Sequence, residues 1–575
     1  MKNKDNIFKK FIIMLSIIIT IFIFWGFKCY FSNSKNIKMF QNKTNLLIKK
    51  ITDSHLIDQK DEYTIFFSIS DIESRAIVFN ETDSSFDIAW TNGCKKIKRF
   101  LKKNNYAPLW RKVDIINNLE KLSNEDLKYQ LLSSKSGYFH NGIILDNNYD
   151  TAYLAAELNG TDSINYKDGS IKVLNLNKYL KESKRKQIKN SNHTYQIFQT
   201  DSWFCDDKNN VYTLINEELT YGRRKIFNTG KKYILNIIKN STNYLINQFQ
   251  DDGSFIYGIY PQYNEIINDY NILRHAGTVW SLICSYKIAP DENLANTIEK
   301  SISYLIKQIK YLNKSNAFVL EEKNNELKLG GASLTVIVLT EYMNTFKTNK
   351  YKDICLKLGN GILSMLNKKT GKFCHVLNED GSLKDMTRTI YYDGEATFAL
   401  CKLYGLNKDK KWLDASLASI NYFIKNNYEE YCSQWIAYSL NEITKYKNDA
   451  KLYSFAFKNL RNNINKLKNI TISPTYFEFL GNIYQIYLKS KDNNIKIKYS
   501  QNDINQLIYL IDYRLDRLLD NYFYPEYAMY MKKPKNILNA FMIRNNNYRV
   551  RIDDVQHSIG GLYLYYQNYD SLINN

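Results

Sequence analysis

The chain has 575 residues, 44% of them hydrophobic and 24% charged, and this globular composition excludes a largely disordered protein. Its 22 Gly and 6 Pro are too few for a loop-rich all-β protein, which needs many turns. The formal net charge is +21, from 79 Lys and Arg against 58 Asp and Glu. The Lys residues are spread over amphipathic segments, and no segment combines a basic stripe with interleaved aromatics, so we expect no nucleic-acid partner.

The first predicted element is a membrane anchor. An uncharged apolar run, FIIMLSIIITIFIFWGF, covers residues 11–27 and follows four Lys residues within the first ten positions. The run is long enough for a short transmembrane helix, it is too long and aromatic for a typical signal-peptide core, and no small-residue cleavage site follows it. We therefore predict a signal anchor over residues 1–31 that holds a single-pass protein in the cell membrane. The Lys residues on its two sides nearly balance, so the short N-terminal tail, rather than charge, favours soluble domains outside the cytoplasm.

A polar stalk and a small α+β domain are predicted next. Residues 32–59 are rich in Lys and Asn and are interpreted as the stalk. The segment 60–225 contains short runs of β-branched and aromatic residues, which predict strands near 63–69, 75–79, 142–145, 171–174 and 195–198. An amphipathic helix is predicted over 86–102. No motif in this domain indicates chemistry.

From residue 229 to 570 the sequence predicts a repeated pair of helices. Apolar helices begin near six positions: 273–277, 330–333, 393–396, 433–435, 477–479 and 556–560. Amphipathic helices lie between them, for example at 291–312, 350–366, 410–426 and 448–467. Because the apolar helices lack a polar face, we expect them to be buried on both sides, as in a closed ring. Small residues at their starts, such as Gly277, Gly330 and Gly394, would let the helix ends crowd together.

Four stretches carry a resemblance to a known superfamily: NDYNILRHAGTVWSL (268–282), YYDGEATFALCKLY (391–404), CSQWIAYSLNEI (432–443) and RVRIDDVQHSIGGLY (549–563). Together with the alternating helices, they resemble the (α/α)6 toroid of the six-hairpin glycosidase superfamily. The resemblance implies a mainly α chain, with the toroid preceded by the small α+β domain and the transmembrane helix. Related toroids include uronate epimerases, polysaccharide lyases, lanthionine cyclases and terpene cyclases, so the fold does not decide the reaction.

No metal ion or cofactor is predicted. Cys374-His375 resembles part of the zinc pattern of lanthionine cyclases, but the matching repeat offers no second Cys. Terpene cyclases use an Asp-x-Asp-Asp acid, and the corresponding stretch here begins with Arg551, so its first acid is missing.

Candidate site residues cluster at the starts of the apolar helices, where a toroid gathers its loops. The first cluster consists of Asp269, Tyr270, Arg274 and His275. The second contains Tyr392, Asp393 and Glu395, for which helix capping is an equal alternative. The third runs from Arg549 to His557 and includes Arg551, Asp553 and Asp554, where helical spacing would let Asp553 touch His557 and Arg551 touch Asp554. A structural salt-bridge cap is the alternative there.

These residues suggest a carbohydrate-active enzyme, most simply a glycoside hydrolase that acts on a cell-envelope or extracellular polysaccharide. Hydrolysis needs one protonated and one ionised carboxyl group, and the expected pair joins Asp393 or Glu395 to Asp553 or Asp554. The Arg residues would bind anionic groups or tune the acids, and stacking surface would come from Tyr257, Tyr260, Tyr392 and Trp435, beside Gln434. A uronate-type lyase or epimerase is an alternative, with His275, His557 or Tyr270 moving a proton. A toroid that binds glycan or protein without catalysis is the third possibility. Glu478 and Glu526 are interpreted as structural residues.

Overall fold

The structure, a computed structural model, describes residues 33–54, 60–189, 193–217, 219–497 and 499–574. The predicted signal anchor, residues 1–31, lies outside these ranges. Among the helices within them, none is long and apolar enough to cross a membrane. The chain divides into two units, one formed by residues up to 226 with Pro261–Asn264 and Tyr524–Leu538, and the other by the remainder.

The first unit is an α+β structure around an antiparallel sheet. Helix α1 covers residues 33–53. The elements that follow are β1 (Tyr63–Ser70), β2 (Ile77–Asp83), α2 (Phe86–Lys103), β3 (Trp110–Leu122), α3 (Asn124–Ser133), β4 (Gly142–Leu145), β5 (Asn148–Tyr153), α4 (Ala155–Gly160), β6 (Ile164–Asn165), β7 (Ser170–Ile171), α5 (Val173–Glu182), β8 (Tyr195–Cys205), β9 (Val211–Asn216) and β10 (Tyr221–Arg224). The eight-stranded sheet has the order β10-β9-β8-β3-β1-β2, with β4 also pairing β8 and β5 pairing β4.

The period of two in β1 divides its side chains between the two faces of the sheet. Ile65, Phe67 and Ile69 pack into the core formed with α1 and α2. Phe66 points to the opposite face and stacks on Phe198 of β8, with ring centroids 5.3 Å apart. The segment predicted as a stalk contains α1, whose buried side chains Phe40, Leu47 and Ile51 belong to the same core as Ile65, Phe67 and Ile69.

Several elements of this unit differ from the sequence predictions, and two of them show the physical reason. The predicted strand at 171–174 is wrong, because α5 begins at Val173 and buries Leu176, Tyr179 and Leu180 at helical spacing. Strand β3 was not predicted, and its first half is buried at every position although it contains Arg111, Lys112 and Asp114. Buried charges in the strand remove the hydrophobic alternation by which a strand is recognised.

The second unit is helical. Its elements are α6 (Lys231–Asn247), β11 (Gly258–Tyr260), β12 (Glu265–Ile266), α7 (Ile272–Ile288), α8 (Glu292–Lys307), β13 (Ile309–Tyr311), β14 (Ala317–Glu321), β15 (Glu326–Lys328), α9 (Leu329–Phe346), α10 (Lys352–Ser364), β16 (Val376–Asn378), β17 (Leu383–Asp385), α11 (Tyr391–Asn407), α12 (Lys410–Lys425), α13 (Gln434–Ile443), α14 (Ala450–Asn469), α15 (Pro474–Asp492) and α16 (Gln501–Leu519). After α17 (Pro525–Ala528), which belongs to the first unit, the chain returns through β18 (Val550–Arg551) to α18 (Ile552–Leu572).

Six inner helices close a ring. Each of α7, α9, α11, α13, α15 and α18 packs against the next, and α18 packs back against α7. The outer helices α6, α8, α10, α12, α14 and α16 each pack on an inner helix. This arrangement confirms the predicted (α/α)6 toroid.

The ring contains a fully buried inner helix, and glycine forms the turns after two of the outer helices. In α9 every residue from Leu329 to Met343 is buried, so the helix has no solvent face. At the turns after α6 and α10, Gly253 and Gly371 have positive φ angles of 97° and 81°, in the left-handed region that glycine tolerates best. The recurrence of this turn in two hairpins supports the repeat that the sequence predicted.

Candidate active site

The N-terminal ends of the inner helices surround a cavity of about 400 Å³ within the toroid. The first turns of α7, α11, α13, α15 and α18 supply most of its lining. Of the predicted site residues, the structure brings nine to this cavity: Arg274, Tyr392, Glu395, Gln434, Trp435, Arg551, Asp553, Asp554 and His557. Helix N-termini carry a partial positive charge, so this end of the ring favours anionic groups.

Asp553 is the cavity carboxylate that two guanidinium groups contact. Its Oδ2 lies 3.0 Å from Nε of Arg274 and 2.8 Å from Nη2 of Arg551, which stabilises a negative charge on this side chain. Its Oδ1 has no hydrogen-bond partner among the described residues. Asp553 therefore combines a fixed orientation with one buried oxygen that has no partner among the described residues.

Asp554 lies next in sequence but has a different environment. Its Oδ2 accepts the backbone N–H of Arg551 at 3.0 Å, as the acid of a capping box does at the start of α18. Arg549 donates to both of its oxygens, at 3.0 and 3.2 Å. Burial, reinforced by the charge of Asp553, raises the pKa of Asp554 to about 6 despite these Arg contacts. Asp554 thus forms the salt-bridge cap, and its neighbour Asp553 is the acid expected to act in the cavity.

Glu395 is the second acidic group that faces the cavity. The residue is only 5% exposed, and its Oε2 has no hydrogen-bond partner among the residues described. Burial raises the pKa of Glu395 well above its usual range, so we expect a protonated carboxyl group at neutral pH. Gly330 of α9 lies directly against it, since a Cβ there would come within 2.4 Å of Oε2.

His557 pairs with an acid from the neighbouring inner helix. Its Nδ1 lies 2.7 Å from Oε2 of Glu478, which is completely buried and also accepts a hydrogen bond from Tyr438 at 3.1 Å. Burial acts to lower the pKa of His557, but the charge and hydrogen bond of Glu478 outweigh it and raise that pKa. The expected contact between Asp553 and His557 is replaced by this pair, whereas the expected contact between Arg551 and Asp554 is present.

An aromatic wall completes the cavity. Trp435 lies with its ring centroid 5.7 Å from that of Trp280 and 6.2 Å from that of His557. Tyr391, which is 48% exposed, and the buried Tyr392 line the same cavity. Flat aromatic surfaces beside acids suit a ligand that has both apolar faces and hydroxyl groups.

Other predicted residues lie elsewhere. His275 is fully buried, with Nδ1 2.7 Å from the hydroxyl of Tyr270 and Nε2 2.9 Å from the carbonyl oxygen of Ser301. Burial lowers the pKa of His275 to about 4, so a neutral ring fixed at both nitrogens fills this position. The structure does not bring it to the cavity, which corrects the expectation that His275 faces a substrate.

Asp393 points away from the cavity that Glu395 faces. Its carboxyl group lies 3.2 Å from the hydroxyl of Tyr428 and 3.3 Å from Nε2 of His375. The expected choice between Asp393 and Glu395 therefore falls on Glu395, because a helix turns the two side chains in opposite directions.

A second cavity of about 640 Å³ in the toroid is lined by Tyr257, Asp269 and Tyr270. Asp269 forms an ion pair of 2.9 Å with Lys323 at its edge. Tyr257 accepts a hydrogen bond from Arg274, so it contacts a residue of the first cavity from the side. Tyr260, in β11, lines neither cavity.

Sequence reasoning missed part of the site. The sequence indicates only a structural role for Glu478, whose partner His557 lies 79 positions later in the chain. Gln556 and Asn271 also line the cavity, and Asn271 caps α7 by accepting the N–H of Arg274 at 3.2 Å. The available signal was position alone, since all three lie at or near the start of an inner helix.

Comparisons with known proteins give structural likeness only. No protein-family model matches the chain, and no curated protein is detectably similar in sequence. Among solved structures, cellobiose 2-epimerase from Bacillus thermoamylovorans is 11% identical, with 58% of this chain and 99% of that chain covered and a TM-score of 0.45. A GH76 alpha-mannanase from Bacteroides thetaiotaomicron is 11% identical, with 60% and 97% covered and a TM-score of 0.43. A D-mannose isomerase is 10% identical, with 60% and 98% covered and a TM-score of 0.44. This general likeness does not bear on the chemistry of the cavity.

Proposed function

We propose that the toroid is a carbohydrate-active enzyme and that its reaction is glycoside hydrolysis by Glu395 and Asp553. The observation that carries the proposal is the different surroundings of two carboxyl groups in one cavity. Burial raises the pKa of Glu395 well above its usual range, whereas two Arg side chains contact the carboxyl group of Asp553. Glycoside hydrolysis requires such a pair, with one acid and one carboxylate on either side of the scissile bond.

Each residue then has a defined role. Glu395 donates its proton to the glycosidic oxygen as the bond to the leaving sugar breaks. Asp553 activates a water molecule or attacks the anomeric carbon, according to the distance between the two carboxyl groups. Arg274 and Arg551 hold Asp553 in position, and Trp435 supports a sugar ring. The substrate would be an oligosaccharide or polysaccharide.

The test is a pair of isosteric replacements in the full chain. Glu395→Gln and Asp553→Asn should each lower the release of reducing ends from a responsive glycan by about 10²–10⁴-fold, the usual effect of losing a general acid or base. Glu292→Gln and Asp353→Asn are matched controls, since both replace exposed carboxylates on outer helices. Full activity in either cavity variant would contradict the proposal.

A sugar epimerase or isomerase is the second candidate, and the pair His557–Glu478 favours it. An imidazole whose Nδ1 is held 2.7 Å from a buried carboxylate can take and return a proton at carbon through its Nε2. Incubation in deuterium oxide separates the reactions, because epimerisation introduces deuterium at a sugar carbon and hydrolysis does not. Deuterium incorporation that His557→Gln abolishes, without new reducing ends, would replace hydrolysis by this reaction. Binding without either product would identify a non-catalytic toroid.

We also propose that the protein acts at the cell surface, anchored by residues 1–31. The support is the uncharged run at residues 11–27 and the Lys residues before it. Protease added to intact cells should degrade the toroid while a cytoplasmic marker survives. Protection of the toroid in intact cells, with digestion after lysis, would contradict this location.

A further inference from the structure

A third cavity lies within the first unit and is separate from the candidate active site. Its volume is about 1030 Å³, and it is lined by the start of β2, the ends of α2 and α5, and residues 532–533. One wall is aromatic: Phe100 packs edge-on against Phe79 and Tyr106, with centroid distances of 5.7 and 5.6 Å. This size is typical of the larger ligand sites in proteins.

The lining of this cavity is strongly cationic. Six basic side chains line it: Arg75, Lys103, Lys184, Arg185, Lys532 and Lys533. Glu182 is the one acid among the lining residues, and it forms an ion pair of 2.5 Å with Lys532. Arg185 forms an ion pair of 2.6 Å with Glu157. Within the described parts of the chain the other four basic groups have no ion-pair partner, so their charge acts on the cavity.

Arg75 adds a group that is hard to explain by stability alone. Its guanidinium is largely buried and donates only to backbone carbonyl oxygens, those of Gly160 at 2.5 Å, Gln262 at 2.8 Å and Tyr530. Its Nε has no acceptor among the described residues. A buried cation without a carboxylate carries a desolvation cost that a nearby anion would offset.

We propose that this cavity binds an acidic oligosaccharide, with the apolar faces of its sugar rings on the wall of Phe79 and Phe100. Its carboxylate or phosphate groups would lie among Arg75, Lys103, Lys184 and Lys533. The inference does not depend on catalysis in the toroid, since every lining residue belongs to the first unit. It assigns to this unit the capture of an anionic glycan.

Calorimetric titration of the full chain tests the proposal with three trisaccharides: trigalacturonate, a phosphorylated maltotriose and neutral maltotriose. At least one of the acidic ligands should bind saturably, and it should bind at least tenfold more weakly to the triple variant Lys103→Gln, Lys184→Gln, Lys533→Gln. The two acidic arms show whether carboxylate or phosphate is preferred. Equal binding of maltotriose, or no binding of either acidic ligand, would overturn the proposal.

A matched control removes the same charge elsewhere in this unit. Lys121, Lys128 and Lys135 are exposed and lie outside the cavity. Their triple replacement by Gln should change the affinity by less than twofold, and an equal loss there would reduce the effect to net charge. Asp553→Asn should leave this binding intact, and loss of binding in that variant would assign the ligand to the toroid instead.

Discussion

Replacement of Gly330 by Ala tests the packing that places Glu395. A Cβ at position 330 would lie 2.4 Å from Oε2 of Glu395 and 2.7 Å from side-chain atoms of both Leu273 and Tyr392. All three distances are shorter than Cβ atoms tolerate, so these buried side chains must shift. Gly331, the next residue in α9, is the matched control, because its Cβ would meet nothing closer than 3.4 Å.

The difference between the two variants isolates the steric clash. Ala is favoured over Gly in a helix by at most about 1 kcal/mol, and this gain is shared by both substitutions. Overpacking of a core costs about 1–3 kcal/mol, and only Gly330→Ala incurs it. We therefore expect Gly330→Ala to be less stable than Gly331→Ala by about 1–3 kcal/mol. At roughly 2–4 °C per kcal/mol for large domains, their Tm values should differ by at least about 2 °C.

Thermal unfolding followed by circular dichroism measures this difference. The glycan assay then shows whether the displaced acid matters, because a misplacement of about 1 Å can cost roughly 10²-fold in rate. Gly331→Ala should retain the activity of the parent chain. Equal Tm values and equal activities in the two variants would refute the packing argument.

Three further outcomes are expected. Glu478→Gln leaves His557 without its buried counter-charge and should destabilise the toroid by about 3–5 kcal/mol. An NMR titration of the imidazole should show a lower pKa for His557, and an unchanged pKa would contradict the ion pair. Burial lowers the pKa of Lys489 to about 7, so the unfolded chain binds this proton more tightly and the free energy of unfolding should rise between pH 7 and 10. Urea unfolding should show that Lys489→Met removes this rise, whereas Lys491→Met, at an exposed position, keeps it. The same dependence on pH in both variants would contradict the desolvation of Lys489. Gly371→Ala places a Cβ at a positive φ and 2.2 Å from the carbonyl oxygen of Ala418, so the free energy of unfolding should fall by about 1–3 kcal/mol, and an unchanged Tm would argue against the turn.

The sequence was most informative where burial leaves a simple pattern. The six inner helices could be predicted because each lacks a polar face, and α9 is buried along nearly its whole length. Strand β3 could not, because Arg111, Lys112 and Asp114 are buried in it and break the alternation. Lys112 and Asp114 pair with each other within the strand, whereas the partners of Arg111, Thr44 and Cys94, are distant in sequence.

The candidate site shows the same division. The clusters at helix starts were identified, since the ring gathers those ends around one cavity. The sequence could not separate Glu395 from Asp393, which lie in one helical turn and differ only in the direction that each faces. Nor could it pair His557 with Glu478, because that contact exists only after two inner helices have become neighbours.

Closure of the ring also fixes when the cavity can exist. Arg274 belongs to the first inner helix and Asp553 to the sixth, and their ion pair joins the two. A ribosome that has released only five inner helices therefore exposes a nascent chain in which Asp553 is still missing and the wall of α18 is open. Bringing together partners so distant in sequence has a large cost in chain entropy, so folding should be slow. It should finish only after α18 emerges. The cavity would thus be completed only near the end of synthesis, after α18 has joined the ring.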